Sequence, residues 1–232
     1  MQTQDDNNYL PIPLYHGTST LFLNSIINNG LGGVDPISEW KIIELSKEVY
    51  QQSELHLKGN SLFIKSACSF KSMTEQSNLG CLNWQHGKPY LSSYEITAAK
   101  YPIGNKFGSE ILTYTFEFLK ELINLKIKYV MKDLYEKYRF LFDLLETNPK
   151  PVLIKATNIP ISALLTENGG DPKSYINEIS DLLKYKSENK KNNLPQFNFQ
   201  LISAIPITKL NYWGIRVVNY SDIWPKYNLY EI

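Results

Sequence analysis

Arginine, cysteine and histidine are scarce in this sequence of 232 residues, which contains two Arg, two Cys and three His. The two cysteines, Cys68 and Cys81, have no Cys-x-x-Cys spacing, and the histidines are scattered along the chain. Neither pattern is typical of a zinc site, so no metal is expected. Since the cysteines could form at most one disulfide, we interpret both as free thiols in a reducing cytosol.

Net charge is almost absent as well. The chain has 24 Lys plus Arg against 23 Asp plus Glu, which gives a formal net charge of +1 at pH 7. This balance excludes a protein that coats nucleic acid by overall charge, although it allows a local basic patch. A hydrophobic content of 43% with 20% charged residues is enough for a core, so a wholly disordered chain is excluded.

The sequence also has no long hydrophobic run. No stretch approaches the roughly 20 apolar residues that a membrane-spanning helix needs. The opening segment, residues 1–13, is polar and acidic and lacks the basic and apolar regions of a signal peptide. We therefore expect no membrane association and a cytoplasmic protein, or one delivered into a target cell without a classical signal peptide.

Lysine, asparagine, isoleucine and tyrosine, in contrast, are abundant and together make up 82 residues. All four have AT-rich codons, which predicts a low-GC genome, bacterial or viral. With 16 tyrosines in the chain, a single tyrosine carries little functional information by itself.

Hydrophobic periodicity predicts short strands that alternate irregularly with helices. Strands are predicted over 10–18, 61–67, 88–93, 110–118, 151–160, 197–207 and 214–220. Helices are predicted over 21–29, 38–57, 93–101, 119–147 and 174–186, with an exposed loop over 187–193. This pattern favours a single α+β domain over residues 1–232, with the helical block at about 119–147 as an insertion.

The first segment whose residues could bind a ligand or take part in catalysis is Tyr15-His16-Gly17-Thr18, at the end of a predicted strand. A histidine beside a glycine offers an imidazole next to accessible backbone N–H and C=O groups. Such a pair can bind a ribose hydroxyl and a carboxamide. A lone histidine beside a turn is, however, more often structural.

Two further segments share this character. Tyr90-Leu91-Ser92-Ser93 places an aromatic ring at a strand end, where it can stack on a planar heterocycle, and Tyr101 follows in the next predicted helix. Gln200 stands near the start of the apolar strand that ends in Ile205-Pro206. Taken singly, Tyr90 and Gln200 read as ordinary strand residues.

Together and in this order, the three segments resemble the ADP-ribosyltransferase superfamily, in its poly(ADP-ribose) polymerase-like or diphtheria-toxin-like branch. That branch is marked by His on the first strand, Tyr on a later strand and Glu at the start of a late strand. The resemblance spans about residues 12–210. It implies two small antiparallel β-sheets, split so that NAD⁺ binds in the cleft between them.

The resemblance also implies roles for individual residues. His16 would contact the adenosine ribose, the Gly17 backbone would hold the nicotinamide carboxamide, and Tyr90 would stack on the nicotinamide ring. Ser92 or Ser93 would fix the amide or the ribose. Three further residues complete the implied set of catalytic and NAD⁺-binding positions: Thr18, Tyr101 and Gln200.

Gln200 departs from the family pattern, since an amide carries no charge and cannot act as a base. Three interpretations are open. In the first, Gln200 is the native third-motif residue of a mono-ADP-ribosyltransferase whose acceptor is a good nucleophile. In the second, Glu167 or Glu178 takes the place of the family's glutamate. In the third, the protein is catalytically weak or inactive.

The acceptor is expected to be a nucleic acid or a protein, bound by the segment from Glu167 to Lys191. Four lysines give this segment a positive bias that could meet phosphate: Lys184, Lys186, Lys190 and Lys191. Three aromatic residues nearby could stack on a base or pack in the core: Tyr185, Phe197 and Phe199.

These features predict a bacterial NAD⁺-dependent mono-ADP-ribosyltransferase that acts as an intracellular toxin, effector or anti-phage factor, with an antitoxin or inhibitor as a further partner. One alternative is an inactive module that binds NAD⁺ or ADP-ribose. Another is an RNA 2′-phosphotransferase, which would require arginines in the site, whereas Arg139 and Arg216 lie outside the three segments.

Overall fold

The structure is a computed structural model that describes residues 8–79, 82–186, 195–219 and 224–232. The chain divides into two compact units. The first unit comprises residues 1–34, 88–104 and 150–232, and the second comprises 35–87 and 105–149. The predicted insertion at 119–147 belongs to the second unit.

Nine strands and eight α-helices are present in the described residues. The helices are α1 Thr20–Asn29, α2 Pro36–Glu39, α3 Ile42–His56, α4 Ser61–Thr74, α5 Glu95–Gly104, α6 Glu110–Asn124, α7 Lys128–Leu145 and α8 Lys173–Lys186. The strands are β1 Leu14–Ser19, β2 Asn78–Leu79, β3 Leu82–Asn83, β4 Tyr90–Ser92, β5 Pro151–Ala156, β6 Leu164–Thr166, β7 Asn198–Leu201, β8 Leu210–Asn219 and β9 Lys226–Tyr230. The predicted α+β class is therefore confirmed.

The first unit is built on a seven-stranded antiparallel sheet in the order β6-β7-β4-β1-β5-β8-β9. Strand β1 pairs with β5 along its whole length, from Leu14 to Ser19. With β4 it pairs at a single position, Tyr15 opposite Ser92. The three strands β6-β7-β4 and the four strands β1-β5-β8-β9 are thus joined through one residue pair.

Helix α1 begins and ends where the sequence predicts. The Ser19 side chain accepts a hydrogen bond from the Leu21 N–H, which satisfies one of the free donors of the first turn. Gly30 follows the last turn with φ of 79°, a conformation that favours glycine. A Cβ at Gly30 would lie 2.5 Å from the Ile205 carbonyl oxygen, so the glycine also permits the bridge from Leu31 to Ile205.

Helix α5 packs directly on the sheet of the first unit. Its residues Ala98 and Ala99 form a buried cluster with Leu153 of β5 and Ile215 of β8. The small side chains allow the helix backbone to approach β1 closely. Helix α5 begins at Glu95, three residues after the last residue of β4.

The second unit is mainly helical, with a core made by α3, α4 and α6. Phe70 and Phe118 stack with their ring centroids 4.7 Å apart, and both are fully buried. A hydrogen bond of 2.6 Å between the hydroxyls of Ser46 and Thr115 joins α3 to α6 inside this core. The two-residue strands β2 and β3 form a separate two-stranded sheet.

The strand predicted over 61–67 is wrong, because these residues form the first half of helix α4. Asn60 caps this helix, since its side-chain oxygen accepts a hydrogen bond from the Leu62 N–H at 2.7 Å. The capping signal outweighs the short apolar run that suggested a strand.

The strand predicted over 110–118 is also wrong, because this stretch lies in helix α6. The alternating pattern arose from Thr113 and Thr115 between apolar residues. In the helix, each buried hydroxyl donates to the carbonyl four residues before it, at 2.8 and 2.6 Å. The threonines are thereby satisfied in the core, so alternation did not mark an exposed strand face.

The helices predicted over 21–29, 93–101 and 174–186 and the strands predicted over 88–93 and 214–220 correspond to α1, α5, α8, β4 and β8 within a few residues. The helix predicted over 38–57 is divided into α2 and α3, and the strands predicted over 10–18, 151–160 and 197–207 are confirmed only over 14–18, 151–156 and 198–201. The helical block over 119–147 consists of the end of α6 and the whole of α7. The loop predicted over 187–193 lies outside the described residues. Within the described residues, no helix is both long and apolar enough to cross a membrane. The prediction of a single domain over 1–232 stays a prediction.

Candidate functional site

His16 and Tyr90 meet where β1 and β4 diverge. The Nδ1 atom of His16 lies 2.9 Å from the backbone carbonyl oxygen of Tyr90. A carbonyl can only accept, so Nδ1 carries the proton and Nε2 carries the lone pair in neutral His16. Burial lowers the pKa of His16, and the bond to the Tyr90 carbonyl opposes this shift only in part. The imidazole is therefore neutral at pH 7.

Tyr90 and Gln200 are paired across the sheet. The register of β4 with β7 places them directly opposite each other, so both side chains lie on one face. The Gln200 Nε2 atom lies 3.4 Å from the Tyr90 hydroxyl oxygen, and Gln200 is 8% exposed. Such a buried amide offers directed hydrogen bonds without charge.

The structure thus brings together His16, Tyr90 and Gln200, which come from three segments that are distant in sequence. Tyr90 is the central member, since its carbonyl accepts from His16 and its hydroxyl accepts from Gln200. We call these three residues the triad.

Gly17 and Thr18 follow His16 in β1. A Cβ at Gly17 would lie 1.9 Å from the Ala98 carbonyl oxygen, so this glycine is required for the packing of α5. Thr18 is 2% exposed and pairs with Val152 of β5. Both residues have structural roles here, and their contacts with NAD⁺ stay predictions.

Ser92 and Ser93 hold the end of β4. Ser92 is buried, and its hydroxyl oxygen accepts from the Tyr94 N–H at 3.1 Å, just before α5. The Ser93 hydroxyl accepts from the Phe197 N–H at 2.9 Å and donates to the Pro195 carbonyl at 3.2 Å. These bonds fix β4 against the chain that leads into β7, and with it the position of Tyr90.

Tyr101, the last predicted NAD⁺ contact, lies on α5 and is 38% exposed. Its assignment to the cofactor stays a prediction.

The two alternative carboxylates differ in their placement. Glu167 directly follows β6, which pairs with β7, and its Oε2 atom accepts from Asn198 Nδ2 at 3.1 Å. Glu178 is exposed on α8, beside the buried Ile179. Glu167 is therefore bound to the strand that carries Gln200, whereas Glu178 belongs to the outer face of a helix.

The aromatic residues considered as base-stacking partners are core residues. Phe197 and Phe199 are 4% and 0% exposed, and both rings pack against Tyr175 of α8. Buried rings cannot receive a base, so the core interpretation holds for these two. The side chain of Tyr185 lies outside the described residues.

The expected basic patch is described only at Lys184, whose Nζ atom lies 3.2 Å from Asp181. Lys190, Lys191 and the side chain of Lys186 lie outside the described residues. Of the two arginines, Arg216 stacks over the Tyr230 ring at 5.5 Å near the far edge of the sheet.

Three polar residues beside the triad were not found by sequence reasoning. Thr97 donates to Gln196 Oε1 at 3.0 Å, Gln196 Nε2 donates to Asn198 Oδ1 at 3.2 Å, and Asn198 donates to Glu167. The one available signal was strand alternation, which places Asn198 on the same face as Gln200.

Within the described part of the chain, no group of three or more His, Cys, Asp or Glu side chains could hold a metal ion. No family model matches this chain, and no curated protein or solved structure shows significant similarity to it.

Proposed function

We propose that the protein is an NAD⁺-dependent mono-ADP-ribosyltransferase that acts as an intracellular toxin, effector or anti-phage factor. The observation that carries the proposal is the triad. Of three residues chosen from sequence for separate roles toward one ligand, His16 is bonded to the Tyr90 backbone carbonyl and Gln200 lies within hydrogen-bond distance of the Tyr90 hydroxyl.

The protonation of His16 suits its proposed contact with a ribose. Because Nδ1 is held by the Tyr90 carbonyl, Nε2 presents a lone pair of fixed direction. A neutral imidazole can accept from a ribose hydroxyl, whereas an imidazolium cannot. Burial, which lowers the pKa of His16, preserves this acceptor at physiological pH.

The chemistry is substitution at the ribose carbon bonded to nicotinamide. The electron pair of this bond leaves with nicotinamide, which is cationic in NAD⁺ and neutral as the product, so no acid is needed. The site has to position the reactants, exclude water and stabilise the cationic sugar. Tyr90 stacks on the leaving ring, and Gln200 orients the ribose through its hydroxyls.

The construction of the sheet supports this assignment. Since β1 and β4 pair at one position, the backbone of β1 near Gly17 and that of β4 near Tyr90 diverge from a common point. A planar ring placed in this opening would have Tyr90 on one side and the Gly17 backbone within reach of its carboxamide. The resemblance implies two separate sheets, whereas the seven strands form one sheet, so the proposal assigns the NAD⁺ cleft to this divergence within it.

The proposal is tested with labelled NAD⁺, cell lysate and the purified chain. We expect nicotinamide release, labelling of a lysate component and an NAD⁺-dependent rise in melting temperature. Y90A and Q200A should lose transfer by about 100-fold or more, as removal of positioning groups typically does. The matched control is N211A, an exposed strand residue of the same sheet. A wild-type chain without release, labelling or thermal shift would overturn the proposal.

The uncharged Gln200 favours one second candidate, a module that binds NAD⁺ or ADP-ribose without turnover. It predicts a thermal shift with NAD⁺ but no nicotinamide release. A Q200E variant distinguishes the two, because a restored carboxylate should increase transfer in an enzyme and leave a pure binding module inactive.

A further inference from the structure

Glu167 is held beside the triad by a directed chain of hydrogen bonds. The chain runs from the Thr97 hydroxyl through Gln196 and Asn198 to the Glu167 carboxylate, with distances of 3.0, 3.2 and 3.1 Å. Every donor in it points toward the carboxylate. The chain therefore fixes the direction of the Asn198 amide toward Glu167.

The turn that carries Glu167 is fixed as well. Thr166 N–H donates to the Gly170 carbonyl at 2.8 Å, and the Thr166 hydroxyl accepts from the Gly170 N–H at 2.9 Å. Gly169 has φ of 81° and donates to the Thr166 carbonyl. Glu167 is therefore exposed to solvent, but its position is fixed by the hydrogen bonds between Thr166 and Gly170 and by the bond from Asn198.

Register places this carboxylate on the face of the sheet that carries the side chains of Tyr90 and Gln200. Leu165 pairs with Gln200 and Thr166 with Phe199, so continuation of this register brings Glu167 next to Asn198, in agreement with their hydrogen bond of 3.1 Å. Asn198 in turn precedes Gln200 by two residues. Since two residues of a strand span roughly 7 Å, Glu167 lies one strand repeat from the Gln200 amide.

Because of this separation, Gln200 and Glu167 can have different roles in the reaction. Gln200 contacts Tyr90 directly and can hold the ribose, but it cannot take a proton. A carboxylate one repeat away is too far for the same ribose hydroxyl and is placed for a group that approaches from solvent. Its charge also repels a phosphate in that position.

We propose that Glu167 is the carboxylate that binds the acceptor group and takes its proton, and that Asn198 positions Glu167. The acceptor group is an N–H or O–H nucleophile and not a phosphate. This inference rests on the proposed function. The bond between ribose carbon and nicotinamide breaks with its electron pair on nicotinamide. The nucleophile bonds to that carbon, and its proton passes to Glu167 and then to water.

The test compares E167Q, N198A and the matched control E231Q, an exposed glutamate of the same unit, with the wild type. For E167Q we expect a loss of about 100-fold in kcat of transfer, within the usual range for general bases. Its KM for NAD⁺ and its NAD⁺-induced thermal shift should not change. N198A should lose about tenfold in kcat with the same KM, since a misoriented base is less effective. E231Q should behave like the wild type.

The acceptor class is tested with the same label in phosphatase-treated and mock-treated lysate. Labelling should be equal in the two, and loss of labelling after phosphatase would overturn the acceptor assignment. Transfer by E167Q at the wild-type rate, or a parallel loss of its NAD⁺-induced thermal shift, would overturn the role of Glu167. A wild-type chain that neither binds NAD⁺ nor releases nicotinamide would instead overturn the proposed function, and this inference with it.

Discussion

Gly17 lies so close to Ala98 that no side chain fits between them. A Cβ on Gly17 would be 1.9 Å from the Ala98 carbonyl oxygen and 2.4 Å from Pro102 Cδ. The neighbour of His16 is thus in direct contact with α5, the helix that follows β4 and Tyr90. The architecture of the triad depends on this close approach.

We therefore expect G17A to destabilise the first unit by about 3 kcal/mol, because the obstructing atoms belong to helix backbone and a proline ring. The control is G104A, at the end of the same helix, where a Cβ would meet nothing within 4 Å. Its free energy of unfolding should stay within about 0.5 kcal/mol of the wild type. Urea denaturation measures both, and equal stabilities would contradict the packing role of Gly17.

The two nitrogens of His16 have separable roles. In H16N the side-chain amide can still donate to the Tyr90 carbonyl but has no group at the position of Nε2, whereas H16A loses both. We expect H16N to unfold with nearly wild-type free energy and H16A to lose about 1 kcal/mol, the usual net worth of a hydrogen bond. Both should lose the NAD⁺-induced thermal shift. A normal shift in H16N would show that Nε2 does not bind the ligand.

His86, in the second unit, predicts a pH dependence of stability. Burial lowers its pKa to about 4, and its Nε2 atom has no hydrogen-bond partner among the described residues. Below its ordinary pKa of about 6.5 the unfolded chain binds a proton that the folded chain does not. Stability is therefore complete above pH 6.5 and decreases as the pH falls toward 4.

Between pH 7 and pH 5 this single group should cost about 2 kcal/mol of unfolding free energy. H86Q lacks the titrating ring, so its stability should fall less over the same range. Burial also raises the pKa values of Glu110 and Glu117, which act in the opposite direction but are present in both proteins. Parallel pH profiles for the wild type and H86Q would contradict the assignment.

Tyr227 and Glu95 connect β9 to the first turn of α5. The Tyr227 hydroxyl donates to Glu95 Oε1 at 3.0 Å, and burial together with this carboxylate raises the pKa of Tyr227. We expect Y227F to lose about 1 kcal/mol of unfolding free energy. The control is Y230F, which removes a tyrosine hydroxyl but keeps the ring that lies beside Arg216, so its stability should stay close to that of the wild type. Chemical denaturation of the two variants measures the difference, and equal stabilities would contradict a contribution from the Tyr227 hydroxyl.

Local signals in the sequence predicted many elements of the first unit. Ser19 and Gly30 mark the ends of α1 with a cap and a left-handed glycine, as their residue types suggest. The second unit was predicted less well, although local signals for its helices exist: Asn60 caps α4 and Ser109 caps α6. A short apolar run in α4 and the two threonines of α6 suggested strands instead.

His16, Tyr90 and Gln200 were identifiable from the sequence as residue types at strand ends and in a recognisable order. Their mutual placement was not, because it depends on strand register. The pairing of Tyr90 with Gln200 links residues 110 positions apart, and the bond from His16 to the Tyr90 carbonyl links residues 74 positions apart. The position of Glu167 could not be predicted from the sequence either, since it depends on the pairing of β6 with β7, which brings Glu167 beside Asn198.

The sequence by itself determined the α+β class, the absence of strong net charge and the three segments that carry the candidate chemistry. These follow from composition and from the local rules for caps, turns and strand ends. Only the tertiary structure decided that the three segments meet, that Phe197 and Phe199 belong to the core, and that Glu167 and not Glu178 is bound to the strand of Gln200. The physical reason is that hydrogen bonds between strands and burial of side chains join residues far apart in the chain, and no local pattern records which of them become neighbours.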